Sequence, residues 1–127
     1  MDPPVRVVWD PSLETTPAYY WHEPEGVDEI ALNPSWWAEH SRPERRAVVG
    51  HEVGHNLTLA VYRPGVNRSD RRRLEARADR AGLSWLIPDA AVLAALADCE
   101  ALWEFAERWG VDEATAAARL RLWGWTR

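Results

Sequence analysis

The run "SRPERRAVVGHEVGHNLT", residues 41–58, decides how this chain is read. It opens with a capping box. Ser41 sits at the N-cap and Glu44 three residues on, so each satisfies a helix-start amide that has no partner within the helix. Pro43 is tolerated because it falls in the first turn. Ala47, Val48, His51, Glu52, His55 and Leu59 then recur at helical spacing, which predicts a helix over about residues 42–62, ending before "RPG". Residues four apart share a helix face. His51 and His55 therefore point the same way, one turn apart, and two imidazoles so placed can bind one Zn2+. Glu52 is adjacent to His51 and reaches the open side of such a metal, where the glutamate of H-E-x-x-H takes a proton from water. Gly54 leaves room beside the ligands. The plainer reading is an amphipathic helix whose histidines are core or surface residues. A helix opened by a capping box is the context that the metal reading requires.

A catalytic zinc site usually has three protein ligands and one water. The candidates for the third are His22, His40 and the downstream acids. Glu75 follows His55 by 20 residues, and Asp79 comes one turn later on the same face of a second helix. Glu75 can then ligate the metal while Asp79 accepts a hydrogen bond from a ligand histidine and fixes its tautomer. The neighbouring Leu74 and Ala78 are apolar, so this face borders the core, an unusual place for an unpaired acid. The competing reading is a solvated Glu75 paired with nearby arginines. Spacing alone also leaves Asp79, Asp70 and a histidine open as third ligands.

Around the motif helix the chain divides into two regimes. "VRVVW" (5–9), "AYYWH" (18–22) and "EIALN" (29–33) are short β-prone runs bounded by prolines, which predicts a small, mostly antiparallel sheet. After it the pattern is helical. A second helix starts near Ser69 or Asp70 and reaches Leu86, stopped by Pro88. Asp89 can cap a third, Ala-rich helix to about Leu96. Residues 100–110 make a fourth helix ended by Gly110, and 111–124 a fifth, with Asp112 as N-cap and Gly124 as terminator. The class is α+β, with residues 1–127 as a single domain.

The composition is that of an ordinary globular chain, 46% hydrophobic over 127 residues. All 15 basic residues are arginine, yet the net charge of -5 gives no reason to expect nucleic-acid binding. The basic run Arg71–Arg72–Arg73 is interrupted by Glu75 and Asp79. The single Cys99 excludes an internal disulfide, fits a reducing cytosol and reads as an inert core residue. No signal peptide opens the chain, and no apolar run approaches about 18 residues, so a cytoplasmic protein with no membrane span is expected. Nine tryptophans are present; by spacing most of them are core and helix-packing residues, with Trp123 and Trp125 the best candidates for a partner surface. Strand alternation puts Tyr20 and His22 on one face and Tyr19 on the other. Either Tyr20 or His22 is a candidate to meet the reacting carbonyl or its oxyanion, although both also read as ordinary sheet residues. His40 reads as an exposed loop residue.

"IALNPSWWAEHSRPERRAVVGHEVGHNLT" (30–58) resembles the ImmA/IrrE metallopeptidases, in which a strand ending I-x-L-N precedes an Arg-rich helix start and H-E-x-G-H. "LEARADRAGLSWLIP" (74–88) is similar to that family's second signature, and "FAERWGVDEATAAARLRLWG" (105–124) to its C-terminal helical pair. Ala81–Gly82 departs from the usual Phe-Ala, and Gly82 weakens a helix interior. Asp112 replaces the usual Ser N-cap. The resemblance implies a gluzincin-type fold, with the H-E-x-x-H helix in a zincin core. His51, His55 and Glu75 would be zinc ligands, Glu52 the general base and Asp79 the outer carboxylate. It further implies a zinc-dependent endopeptidase that cleaves a helix-turn-helix transcriptional repressor, as in phage or mobile-element regulation, without touching DNA itself. The alternative is a non-catalytic module of toxin–antitoxin or antirepressor type that keeps the fold and acts by binding.

Overall fold

A computed structural model describes residues 4–58 and 67–124. Three of the proline-bounded runs become strands: β1 (Val5–Trp9), β2 (Ala18–Trp21) and β3 (Asp28–Leu32). Their order is β1-β3-β2, with β1 parallel to β3 and β2 antiparallel to it. The sheet is therefore mixed, which corrects the expectation of a mostly antiparallel one. The cause is the link between β1 and β2. It makes a 3-10 turn at Pro11–Leu13 and passes the end of β3, so the first two strands flank the third instead of pairing with each other.

Asn33 holds that crossing in place. It is 2% exposed, and its amide donates to the carbonyls of Glu14 (2.9 Å) and Thr16 (3.2 Å). Glu14 has a φ of 56°, a conformation that costs a non-glycine residue energy and needs such an anchor. The same Asn33 accepts from the amides of Ser35 and Trp36, capping helix α1 (Pro34–Glu39). The sequence reading lacks this helix, although Asn-Pro is a sound start signal, a capping side chain followed by proline at the first helical position.

Helix α2 (Arg42–Thr58) begins at the predicted capping box: the Ser41 hydroxyl and amide both donate to Glu44 Oε1, at 2.8 and 3.1 Å. The expected continuation to residue 62 lies outside the described residues. Val53, with Val48, Val49 and Leu57, packs under the sheet face formed by Ala18, Tyr20, Ile30 and Leu32. Helix α3 (Arg68–Leu86) starts one residue before Ser69, because Asn67 is the N-cap and accepts from the Asp70 amide.

α2 and α3 run antiparallel and touch backbone to backbone. A Cβ built on Gly54 would lie 1.9 Å from the Ala78 carbonyl oxygen, and one on Gly82 would lie 2.1 Å from the Gly50 carbonyl oxygen. Gly82, unexplained by helix propensity, is thus required by the approach of the two helices. Gly54 likewise makes room for the backbone of α3.

Helices α4 (Asp89–Asp98), α5 (Leu102–Trp109) and α6 (Glu113–Arg121) close a second core around Ile87, Val92, Phe105, Ala116 and Leu120. Asp112 caps α6 as expected, accepting from Thr115 N, and Gly110 ends α5 at a φ of 66°. Asp89 does not cap α4. Its carboxylate instead takes Arg119 Nη2 (2.5 Å) and Trp123 Nε1 (3.3 Å). Arg119, 1% exposed, also donates to the Ile87 carbonyl. This buried cation pins α6 to the α3–α4 turn.

Among the described residues no tryptophan is fully buried, although Trp37 and Trp109 pack against the two cores. Trp9, Trp21, Trp85, Trp103 and Trp123 are exposed, and Trp36, Trp37 and Trp109 are half-buried; Trp125 lies outside the described residues. Helices this close leave room for alanine, valine and isoleucine rather than indoles. His40 is half-buried, its ring stacked on Trp36 at 3.9 Å, rather than an exposed loop residue. Cys99 is free and half-buried against the second core. Among the described residues no single helix is long and apolar enough to cross a membrane.

Substituting Gly82 by alanine tests the helix contact. In a free helix this change stabilises by about 1 kcal/mol. Here the methyl group must displace the Gly50 carbonyl, so urea unfolding should show a loss of stability. A gain of that size would mean that α2 and α3 do not touch at this level.

Candidate metal centre

The helix-to-helix contact brings four side chains to one place. His51 and His55 project from α2, and Glu75 and Asp79 from α3, one turn apart on each helix. His51 Nε2 lies 3.2 Å from His55 Nε2 and 3.3 Å from one Glu75 oxygen; the other Glu75 oxygen lies 3.5 Å from His55 Nε2. These separations can be compared with what a cation needs. Metal–ligand bonds of about 2.0–2.2 Å in a tetrahedron put the donor atoms roughly 3.3–3.6 Å apart. The three side chains are close enough to share one cation, and they form the metal-capable group His51, His55, Glu75.

The imidazole of His51 is also held in the right tautomer. Its Nδ1 lies 2.7 Å from Asp79 Oδ1. A carboxylate only accepts, so Nδ1 donates in this contact, and Nε2 faces His55 and Glu75. His55 is 7% exposed, and its ring stacks on Tyr20 with centroids 5.9 Å apart and planes 13° apart.

Glu52 is 8% exposed. Burial raises its carboxyl pKa above the ordinary value; the neighbouring His51 and His55 pull it down, and Glu75 adds to the rise. Glu52 is thus a buried carboxyl in electrostatic contact with His51, His55 and Glu75.

Behind His55 lies a network that the sequence reading missed. Asp28, 5% exposed, accepts from Tyr20 Oη and Asn56 Nδ2 on one oxygen, and from His22 Nδ1 and Glu23 N on the other. Burial alone would raise the Asp28 pKa, but these hydrogen bonds outweigh it and hold the carboxyl below its usual value. Burial and then the Asp28 carboxylate push the Tyr20 phenol well above its own usual value, so it stays a donor. Tyr20 and His22 do share a face, as alternation predicts. The single O–H of Tyr20 is given to Asp28, and His22 turns Nδ1 to the same carboxylate. No local signal marks Asp28; the β2–β3 register pairs Trp21 with Glu29, which sets Asp28 beside His22.

The remaining third-ligand candidates lie elsewhere. His40 is held by Trp36, Asp70 caps toward Asn67, and Asp79 meets the ring nitrogen of His51 that faces away from the convergence point. No protein-family model, curated protein or solved structure matches this chain.

Asp79→Ala should leave the protein folded and weaken zinc affinity by about 10–100-fold, measured by competition with a chelating dye. Unchanged affinity would show that the Asp79–His51 contact does not tune the site.

Proposed function

We propose that this protein is a zinc-dependent endopeptidase of the ImmA/IrrE kind. The observation that carries the reading is the convergence of His51, His55 and Glu75 with the buried Glu52 alongside. Two imidazoles and a carboxylate are a donor set of catalytic zinc sites, and they leave a fourth position for water or substrate.

His51, His55 and Glu75 would hold the ion, with Asp79 orienting His51 and Tyr20 packed against His55. Once bound, the ion would supply Lewis acidity to a peptide carbonyl and lower the pKa of water. Glu52 does the proton work. It takes a proton from the attacking water and passes it to the amine that leaves when the peptide bond breaks. Burial raises the proton affinity of Glu52, which suits both halves of that transfer.

The substrate class follows from the resemblance: a helix-turn-helix repressor in the cytoplasm, whose cleavage relieves repression in phage or mobile-element regulation. A carboxyl buried next to the metal ligands favours this reading over a non-catalytic binding module, since burying an acid is unfavourable and proton transfer gives it a use.

Glu52→Gln separates these readings. The amide keeps the shape but takes no proton. Hydrolysis of a helix-turn-helix repressor substrate should fall by about 10²–10⁴-fold or more, with zinc content unchanged. Equal cleavage by variant and parent would contradict the proton-transfer role.

A further inference from the structure

A cavity of about 570 Å3 opens between α4, α5 and the start of α6, on residues that take no part in the metal centre. Its floor belongs to the second core, where Ala95, Phe105 and Leu120 are buried. Leu96 and Trp103 stand at its mouth, each 57% exposed. The Trp103 ring meets no other ring or cation among the described residues. The charged residues that line the cavity are Glu100 and Glu113, and no arginine does. Neither glutamate has an ion-pair partner among the described residues, whereas the nearby Asp98 is already paired with Arg108 at 3.6 Å. Glu113 lies in the first turn of α6, where the positive end of the helix favours an acid, and the start of α5 has its own acid in Glu104. Glu100 sits in the link between α4 and α5, outside any helix, and serves neither helix start.

We propose that this cavity binds a small organic ammonium ion with an apolar body. An ammonium is attracted to the face of an indole and to carboxylates, and Trp103, Glu100 and Glu113 line one cavity. Its alkyl part displaces water from the apolar floor. The volume falls within the range of small-molecule pockets, roughly 300–1,000 Å3. An anion is repelled by the two glutamates, and a neutral apolar molecule leaves both without a counter-charge, so the cation is the best-matched occupant. None of the lining residues is a metal ligand or Glu52, so binding is independent of zinc and of peptidase activity.

Cys99 lines the cavity and is the single thiol of the chain, so its rate of labelling by N-ethylmaleimide reports occupancy in the intact protein. Hexylammonium should slow that labelling in a saturable way, and hexanoate and hexanol should bind at least about 5-fold more weakly. Glu100→Gln combined with Glu113→Gln should weaken hexylammonium binding by about 5-fold or more, from two lost carboxylate–ammonium contacts. Trp103→Leu should weaken it by about 2–5-fold. Glu23→Gln combined with Glu25→Gln, at two exposed acids in the β2–β3 link, changes the net charge equally and should leave binding as in the parent. Should the Glu113 change prevent folding, Glu100→Gln alone, outside any helix, makes the same test against Glu25→Gln. No protection of Cys99 by hexylammonium, equal protection by hexanoate or hexanol, or an equal loss in the cavity and control variants overturns the site. Tighter binding of N-acetyl-Leu-Lys-Leu amide than of hexylammonium overturns the small-molecule occupant and assigns the cavity to a lysine of a protein partner instead.

Discussion

The distance between α2 and α3 is set by two carbonyl–glycine contacts, Ala78 O at Gly54 and Gly50 O at Gly82. At that distance the histidines of one helix and the carboxylates of the other meet tip to tip. One extra methyl group at either glycine would separate the helices by more than the tolerance of a coordination bond. Each glycine lowers helix propensity by about 1 kcal/mol relative to alanine. The site depends on that loss, because His51, His55, Glu75 and Asp79 need the close approach to share one volume.

The surroundings hold this helix pair from two sides. The sheet covers α2 with apolar contacts and with the Asp28 network, which ties Tyr20 and His22 of one hairpin to Asn56, the residue after His55. Arg119 holds α6 against the α3–α4 turn through Ile87 and Asp89. Buried charges of this kind are costly unless paired, and both are fully engaged. Glu52 is the exception. Burial raises its proton affinity, and the neighbouring His51 and His55 offset that rise only in part.

Most of the centre was legible because helix geometry is regular. A four-residue spacing puts His51 with His55 and Glu75 with Asp79, and a short return between two helices leaves few ways to pack them. Those helices, their caps at Ser41 and Asp112 and the stop at Gly110 follow from local chemistry. What escaped was non-local. The parallel pairing of β1 depends on a crossing held by Asn33, and no periodicity encodes it. Asp28 becomes important only once the hairpin register sets it beside His22. Gly82 read as a defect because its reason lies on another helix. The indoles are apolar by composition, but helices packed this closely have no space for them.

The central claim is that three side chains from two helices form one tetrahedral metal site. X-ray absorption at the zinc edge, on protein loaded with one equivalent of zinc, tests it most directly. The account predicts four light ligands at about 2.0–2.2 Å, two of them with the multiple scattering of imidazole. A sulfur shell near 2.3 Å, which only Cys99 or Met1 could supply, or an oxygen-only shell without imidazole would contradict it.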